Sequence, residues 1–163
     1  MIRKVEMERL TVTSSKPFDA VVAAIKASIG HPNMPEIWLA TQRATTAVEL
    51  EAAIQPVLGE SGLVQFVEFD HGSIIRKGTD QHTSRIIRLV IGNPLIMKEM
   101  AKHVPDAGSY APVTVLVDER ADGVHISYDR MASLLAPYGD EDALIVARGL
   151  DVKVVDVLRQ AAA

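Results

Sequence analysis

The segment from Arg88 to Asp129 confines this chain to few folds. It reads RLVIGNPLIMKEMAKHVPDAGSYAPVTVLVDERADGVHISYD. A strand-like run leads straight into Gly92-Asn93-Pro94, which is a helix start. Asn93 offers a side-chain oxygen to the free N–H groups of the first turn, and Pro94 at the first helical position loses no hydrogen bond it needs. Ile96, Met97 and Met100 give this helix a buried face. Lys102 and His103 sit near its negative C-terminal end, and Pro105 blocks further helix. Pro112 to Glu119 and Val124 to Asp129 then pair as a hairpin that turns at Arg120 to Gly123. Strand, helix and antiparallel hairpin in that order predict an α+β protein, with helices on one face of an antiparallel sheet.

The flanking sequence extends the same pattern. Glu6 to Thr13 reads as a first strand, with Leu10 and Val12 buried. Ser15 and Pro17 open a helix whose apolar stripe is Phe18, Val21, Val22, Ile25 and Ile29, with Gly30 as a left-handed stop. Asn33 with Glu36, and Thr46 with Glu49, have capping-box spacing ahead of two helical stretches. The second of these carries Leu50, Ile54, Val57 and Leu58, and Pro56 tightens its end. Gly59 to Gly62 is a turn, and Leu63 to Asp70 a strand ended by His71-Gly72. Ser73 to Lys77 reads as a short strand, and the polar loop Gly78 to Thr83 separates it from a strand over Ser84 to Ile91. In that last strand Ile87, Leu89 and Ile91 share one face while Ile86 and Val90 occupy the other. Because an antiparallel sheet normally keeps one face polar, this points to a cover on the second face, such as another subunit. The tail, Asp142 to Ala161, is a helix striped by Ala143, Val146, Ala147, Leu150, Val154, Val157 and Leu158. Leu144, Ile145, Val152 and Val155 lie outside the stripe, which makes the helix central or part of an oligomer contact. The expected order is β-α-β-β-β-α-β-β-α, with residues 30–62 as a helical insertion after the first helix.

Composition removes several functions. At 163 residues one domain is expected over 1–163. A net charge of −4 and a pI near 5.7 argue against nucleic acid as a partner, since phosphate binding wants a basic face. Arg76, Lys77, Arg85 and Arg88 are the nearest approach to a basic patch. With no cysteine, disulfides, thiolate nucleophiles and thiolate metal sites are excluded. No apolar run approaches the roughly 20 residues that span a bilayer, and the N-terminus lacks a signal-peptide core. No membrane partner is expected, and the expected location is cytoplasmic.

With these residues placed, the chain resembles the bacterial and archaeal family known as domain of unknown function 302. The likeness rests on the strand entering Gly92-Asn93-Pro94, the amphipathic helix after it, the loop Pro105 to Pro112, and the hairpin VTVLVDERADGVHISYD. It is good over Leu63 to Tyr138 and looser over the first strand and helix. The resemblance implies a compact α+β domain with a curved, mainly antiparallel sheet and a tendency to form homodimers. It implies no agreed activity. Some shorter members carry a cysteine just before their Asn-Pro, and this chain does not, so no thiol-based role carries over.

The chemistry-bearing residues form no complete catalytic set. The five histidines, His31, His71, His82, His103 and His125, have no HxH or HExxH spacing, and neither a metal nor a cofactor is expected. Ser109 lies in no GxSxG elbow. The Asp106 to Pro112 loop gathers an acid, a hydroxyl and an aromatic ring between a helix and a strand. The leading expectation is therefore a non-catalytic domain binding a small ligand or a partner in a cleft near residues 106–112. Its candidate contacts are His71, Asn93, Asp106, Ser109, Tyr110 and Asp129, the last of which is also placed to cap a helix over Arg130 to Leu135. One alternative is a small metal-independent enzyme using a His–Asp pair, His71 with Asp70 or Asp129. Another is a structural homodimer joined through the C-terminal helix.

Overall fold

The computed structural model describes residues 2, 4–78 and 85–163. Its centre is an open five-stranded sheet in the order β1-β5-β4-β3-β2, antiparallel throughout. The chain runs through β1 (Arg9–Ser14), α1 (Phe18–Ser28), α2 (Met34–Arg43), α3 (Ala47–Ile54), β2 (Val64–Asp70) and α4 (His71–Gly78). It continues through β3 (Ile86–Gly92), α5 (Pro94–Ala101), the hairpin β4 (Val113–Arg120) and β5 (Gly123–Asp129), then α6 (Met131–Leu135) and α7 (Glu141–Ala162). The expected α+β class, with an antiparallel sheet and helices on one face, is what forms.

The period-2 pattern explains which face is covered. Leu89 and Ile91 of β3, Val113, Val115 and Val117 of β4, and Val124, Ile126 and Tyr128 of β5 are all buried. They form one core with the Phe18, Val21, Val22 and Ile25 stripe of α1, Met100 of α5, and the Ala143, Ala147, Leu150, Val154 and Leu158 stripe of α7. Burying these side chains contributes about 1.5–3 kcal/mol apiece before chain entropy is counted. On the opposite face Thr11, Ser127, Leu116, Arg88 and Phe69 lie side by side across all the strands. That face is mixed rather than polar, because Ile86 and Val90 are half-buried on it and Phe69 is exposed.

Three local expectations are corrected. Ser73 to Lys77 is helical, within α4, although Ile74-Ile75 is a strand-like pair. The Asp70 carboxylate accepts the Ser73 N–H at 2.8 Å, and the Ser73 hydroxyl donates to the Asp70 carbonyl, so a capped turn outweighs β-propensity. Gly30 is not left-handed. Its N–H donates to the Leu63 carbonyl at 2.8 Å, and a Cβ there would stand 1.9 Å from the Val57 carbonyl oxygen, so close approach demands the glycine. Asn33 gives no backbone cap and instead donates to Glu36 Oε1 at 2.8 Å. Thr46 does cap α3, accepting from the Glu49 N–H at 3.2 Å, while the Glu49 carboxylate accepts from Thr45. The loop read after Gly78, with His82, and the strand start at Ser84 lie outside the described residues. Among the described residues no helix is long and apolar enough to cross a membrane.

Candidate functional site

The Gly92-Asn93-Pro94 junction forms one wall of a cavity. β3 ends at Gly92, and Asn93 adopts an extended backbone and accepts the Leu95 N–H at 2.8 Å, capping α5. Its amide nitrogen donates to the Gly62 carbonyl at 3.0 Å, which ties the turn before β2 to the same corner. One turn into α5, Met97 and Met100 face inward, and Leu150 of α7 closes the back. The loop returning to β4 adds Gly108, Ala111 and Pro112, with a cis Ala111–Pro112 peptide. From α2, Trp38 leans over Phe66 with ring centroids 5.7 Å apart, and both line the opening. These walls enclose about 250 Å³.

The lining decides what the cavity can do. Apart from the Asn93 amide and the indole N–H of Trp38 it is apolar, and among the described residues that line it none titrates. Gly92 allows Phe66 and Pro112 to close in, since a Cβ there would stand 3.3 Å from the Pro112 side chain. Gly108 is different, for a Cβ on it would meet nothing within 4 Å. Among the described residues that line the pocket there is no general acid, base or nucleophile.

Of the residues expected to bind, Asn93 lines this cavity and the others do not. Asp106 and Ser109 are exposed on the short 3-10 turn Pro105–Ser109. Tyr110 packs against the core, its hydroxyl 3.1 Å from that of Tyr138. The neighbours of these residues, Gly108, Ala111 and Pro112, provide the loop's contribution instead. Asp129 holds Arg9 on the adjacent strand with a two-pronged contact of 2.6 and 2.8 Å. His71 stacks on Phe69 at 6.0 Å. The His71 pairs imagined for catalysis are therefore otherwise engaged, since Asp70 caps α4 and Asp129 serves Arg9.

Other titratable groups come together elsewhere, in structural roles. His125 meets Asp122 at 2.9 Å in the hairpin turn, and that hydrogen bond holds the Asp122 carboxyl below its usual range. Donor atoms of His103, Asp140 and Asp142 lie within 4.8 Å of one another. Asp140, however, caps α7 through the Ala143 N–H at 2.8 Å, and a helix N-terminus disfavours a cation.

The most developed polar cluster is one the sequence reading overlooked. Asp151 of α7, 1 % exposed, accepts from the Tyr128 hydroxyl at 2.7 Å and from the Met131 and Ala132 N–H groups at 2.8 and 3.2 Å. Arg130 Nε stands 3.5 Å from its other oxygen. Asp151 thus caps α6 from a distance, the role expected of Asp129. Burial, with the negative charge of Asp151 next, pushes the Tyr128 phenol well above its ordinary pKa. Asp151 falls in the Ala147, Val154, Leu158 stripe, where a carboxylate on the buried side of a helix is the visible signal.

Against this geometry the comparisons with known proteins are consistent. The sequence profile described as "Domain of unknown function DUF302" matches residues 40–161. The chain belongs to the DUF302 family. Its fold is shared with the crystal structure of an uncharacterized conserved DUF302 protein from Bacillus stearothermophilus, at a TM-score of 0.66 and 12% sequence identity. That likeness covers 94% of this chain and 97% of the other. No curated protein matches the chain. Almost the whole cavity lining lies within the DUF302 match, with Trp38 just ahead of it.

Proposed function

We propose that this DUF302 protein is a non-catalytic binding protein for a small, neutral, apolar molecule held in the cavity beside Trp38. The cavity carries the reading. About 250 Å³ lies open between α5, α7 and the loop into β4, walled almost wholly by apolar side chains, as small-molecule pockets are. An apolar cavity of roughly 150 Å³ suffices for benzene, so this one has room for a substituted ring. Charge on the ligand would find no partner among the lining residues and would be costly to desolvate. The sulfur atoms of Met97 and Met100 and the rings of Trp38 and Phe66 favour a planar, polarisable occupant.

Trp38 is the only tryptophan, so its fluorescence reports occupancy directly. Titration with toluene and with p-cresol should shift its emission saturably. In Gly108→Leu, whose added side chain enters open space, the saturable response should vanish while the fold persists. A response that rises linearly and equally in both proteins would refute the reading.

A homodimer through α7 is a second reading, supported by Ile145 and Val152, 58% and 60% exposed and two turns apart on one side of the helix. Light scattering should show a dimer that Val152→Glu converts to monomer. A monomeric parent protein would end that reading.

A further inference from the structure

The open face of the sheet holds a second concavity of different chemistry. Its floor is Thr11, Ser127 and Leu116, neighbours across β1, β5 and β4. Around it stand Arg9, Arg88 and Arg120, each from a different strand, and the space between them is about 450 Å³. In a chain of net charge −4, three guanidinium groups against the one lining carboxylate, Asp129, leave this basin locally positive.

The three differ in how their charge is met. Asp129 gives both carboxylate oxygens to Arg9, and Asp118 gives both to Arg120. Among the described residues Arg88 has only neutral partners: its guanidinium lies 5.7 Å from the centre of the Phe69 ring and donates to the Thr114 hydroxyl at 3.1 Å. Among the described residues no carboxylate lies within salt-bridge distance of it. The Phe69 ring and Thr114 hold the guanidinium plane over the basin with donors to spare. Thr114, having accepted from Arg88, keeps its own O–H free to donate, and the Thr11–Ser127 hydroxyl pair, 3.1 Å apart, has a hydrogen left over.

We propose that this basin binds a small organic anion, a carboxylate or a phosphate ester, with the Arg88 guanidinium as its principal contact. An oxyanion placed over Ser127 meets the planar fork of Arg88 and the hydroxyls of Thr114 and Ser127, a donor set that matches carboxylate and phosphate geometry. Arg9 and Arg120 stay on their carboxylates and shape the rim. The aliphatic floor at Leu116 receives the organic part. The basin lies on the sheet face away from the helices, whereas the cavity lies among the helices, so the two sites stand or fall separately.

Amide chemical-shift mapping tests this, with succinate and inorganic phosphate as probes and chloride holding the ionic strength constant. Saturable shifts centred on Thr11, Arg88, Leu116 and Ser127 are expected with at least one probe. Saturation by succinate alone assigns a carboxylate ligand, and by phosphate alone a phosphate ester. Arg88→Gln should weaken binding about tenfold or more, the usual scale for losing a charge-assisted contact, and Arg88→Lys, which keeps charge without the fork, should fall between. Lys98→Gln on exposed α5 should change nothing. Shifts that never saturate, or saturate elsewhere, overturn the proposal, as does full binding by Arg88→Gln. Gly108→Leu should leave these titrations unchanged.

Discussion

Leu150 and Asp151 are consecutive residues of α7, yet they border opposite kinds of interior. Leu150 closes the back of a space that protein atoms do not fill. Asp151 sits at a point where nearly every polar atom has a partner, joining β5, α6 and α7 through Tyr128, Met131 and Ala132. The contrast shows how this small α+β domain divides its labour. A satisfied buried carboxylate fixes the angle at which α6 meets α7, because donors arriving from separate elements fit one arrangement. An underfilled apolar pocket fixes little.

The largest expected effect breaks the polar side of that comparison. Asp151→Ala leaves the Tyr128 O–H and the Ala132 N–H without an acceptor and the Met131 N–H with only the Tyr128 hydroxyl at 3.3 Å, and should cost about 3–5 kcal/mol in urea denaturation, the range for breaking a buried charged contact. A loss below about 1 kcal/mol would mean the cluster is incidental. Leu150→Ala should cost less, about 2–3 kcal/mol, the low end for such truncations because the site is already incompletely packed. If it costs more than Asp151→Ala, the contrast is reversed.

Tyr128→Phe sharpens the polar side more gently, at about 1–2 kcal/mol near neutral pH. It also carries a pH signature. The folded-state phenol of Tyr128 is raised above its unfolded value, chiefly by burial, so its stabilisation is complete below about pH 10, where an unfolded tyrosine ionises. It is lost as pH rises beyond that, by up to about 1.4 kcal/mol per pH unit. Denaturation measured from pH 9 upward should therefore slope less steeply in Tyr128→Phe than in the parent. The smallest effect belongs to the cavity wall. Asn93→Asp keeps the oxygen that caps α5 but loses the donor to Gly62, and a negative charge at a helix start partly compensates. A thermal-melt change equivalent to less than about 1 kcal/mol is expected.

Much of the fold was legible because its signals are local. The Asn93 cap, the Phe18 to Ile25 stripe and the β4–β5 hairpin each announce themselves within a dozen residues. Where expectation failed, a partner distant in sequence or a specific cap outweighed the local signal. Asp129 has the right residue type and position to cap α6, but the register sets Arg9 opposite it, and Asp151 takes the cap from 20 residues down the chain. Ile74-Ile75 has strand propensity, and the Asp70 carboxylate overrides it. Of the 106–112 loop, Gly108, Ala111 and Pro112 line the cavity rather than Asp106, Ser109 and Tyr110, and the cavity's walls were legible only as apolar filling. Trp38, Met97 and Met100 look alike in sequence whether they fill a core or surround a gap, because missing volume leaves no mark on a residue string.

The pairing of β1 carries a consequence for how the molecule is made. Arg9 and Asp129, partners at one end of that ladder, are 120 residues apart. β1 cannot join the sheet until β5 is in place, and such distant closures slow folding. Until that pairing closes, the β5 edge is bare and another chain could template itself on it. Synthesis from the N-terminus thus exposes a nascent chain to misassembly for longest at β1, and a circular permutant that places residues 9–14 after Ala163 should fold faster by shortening that wait.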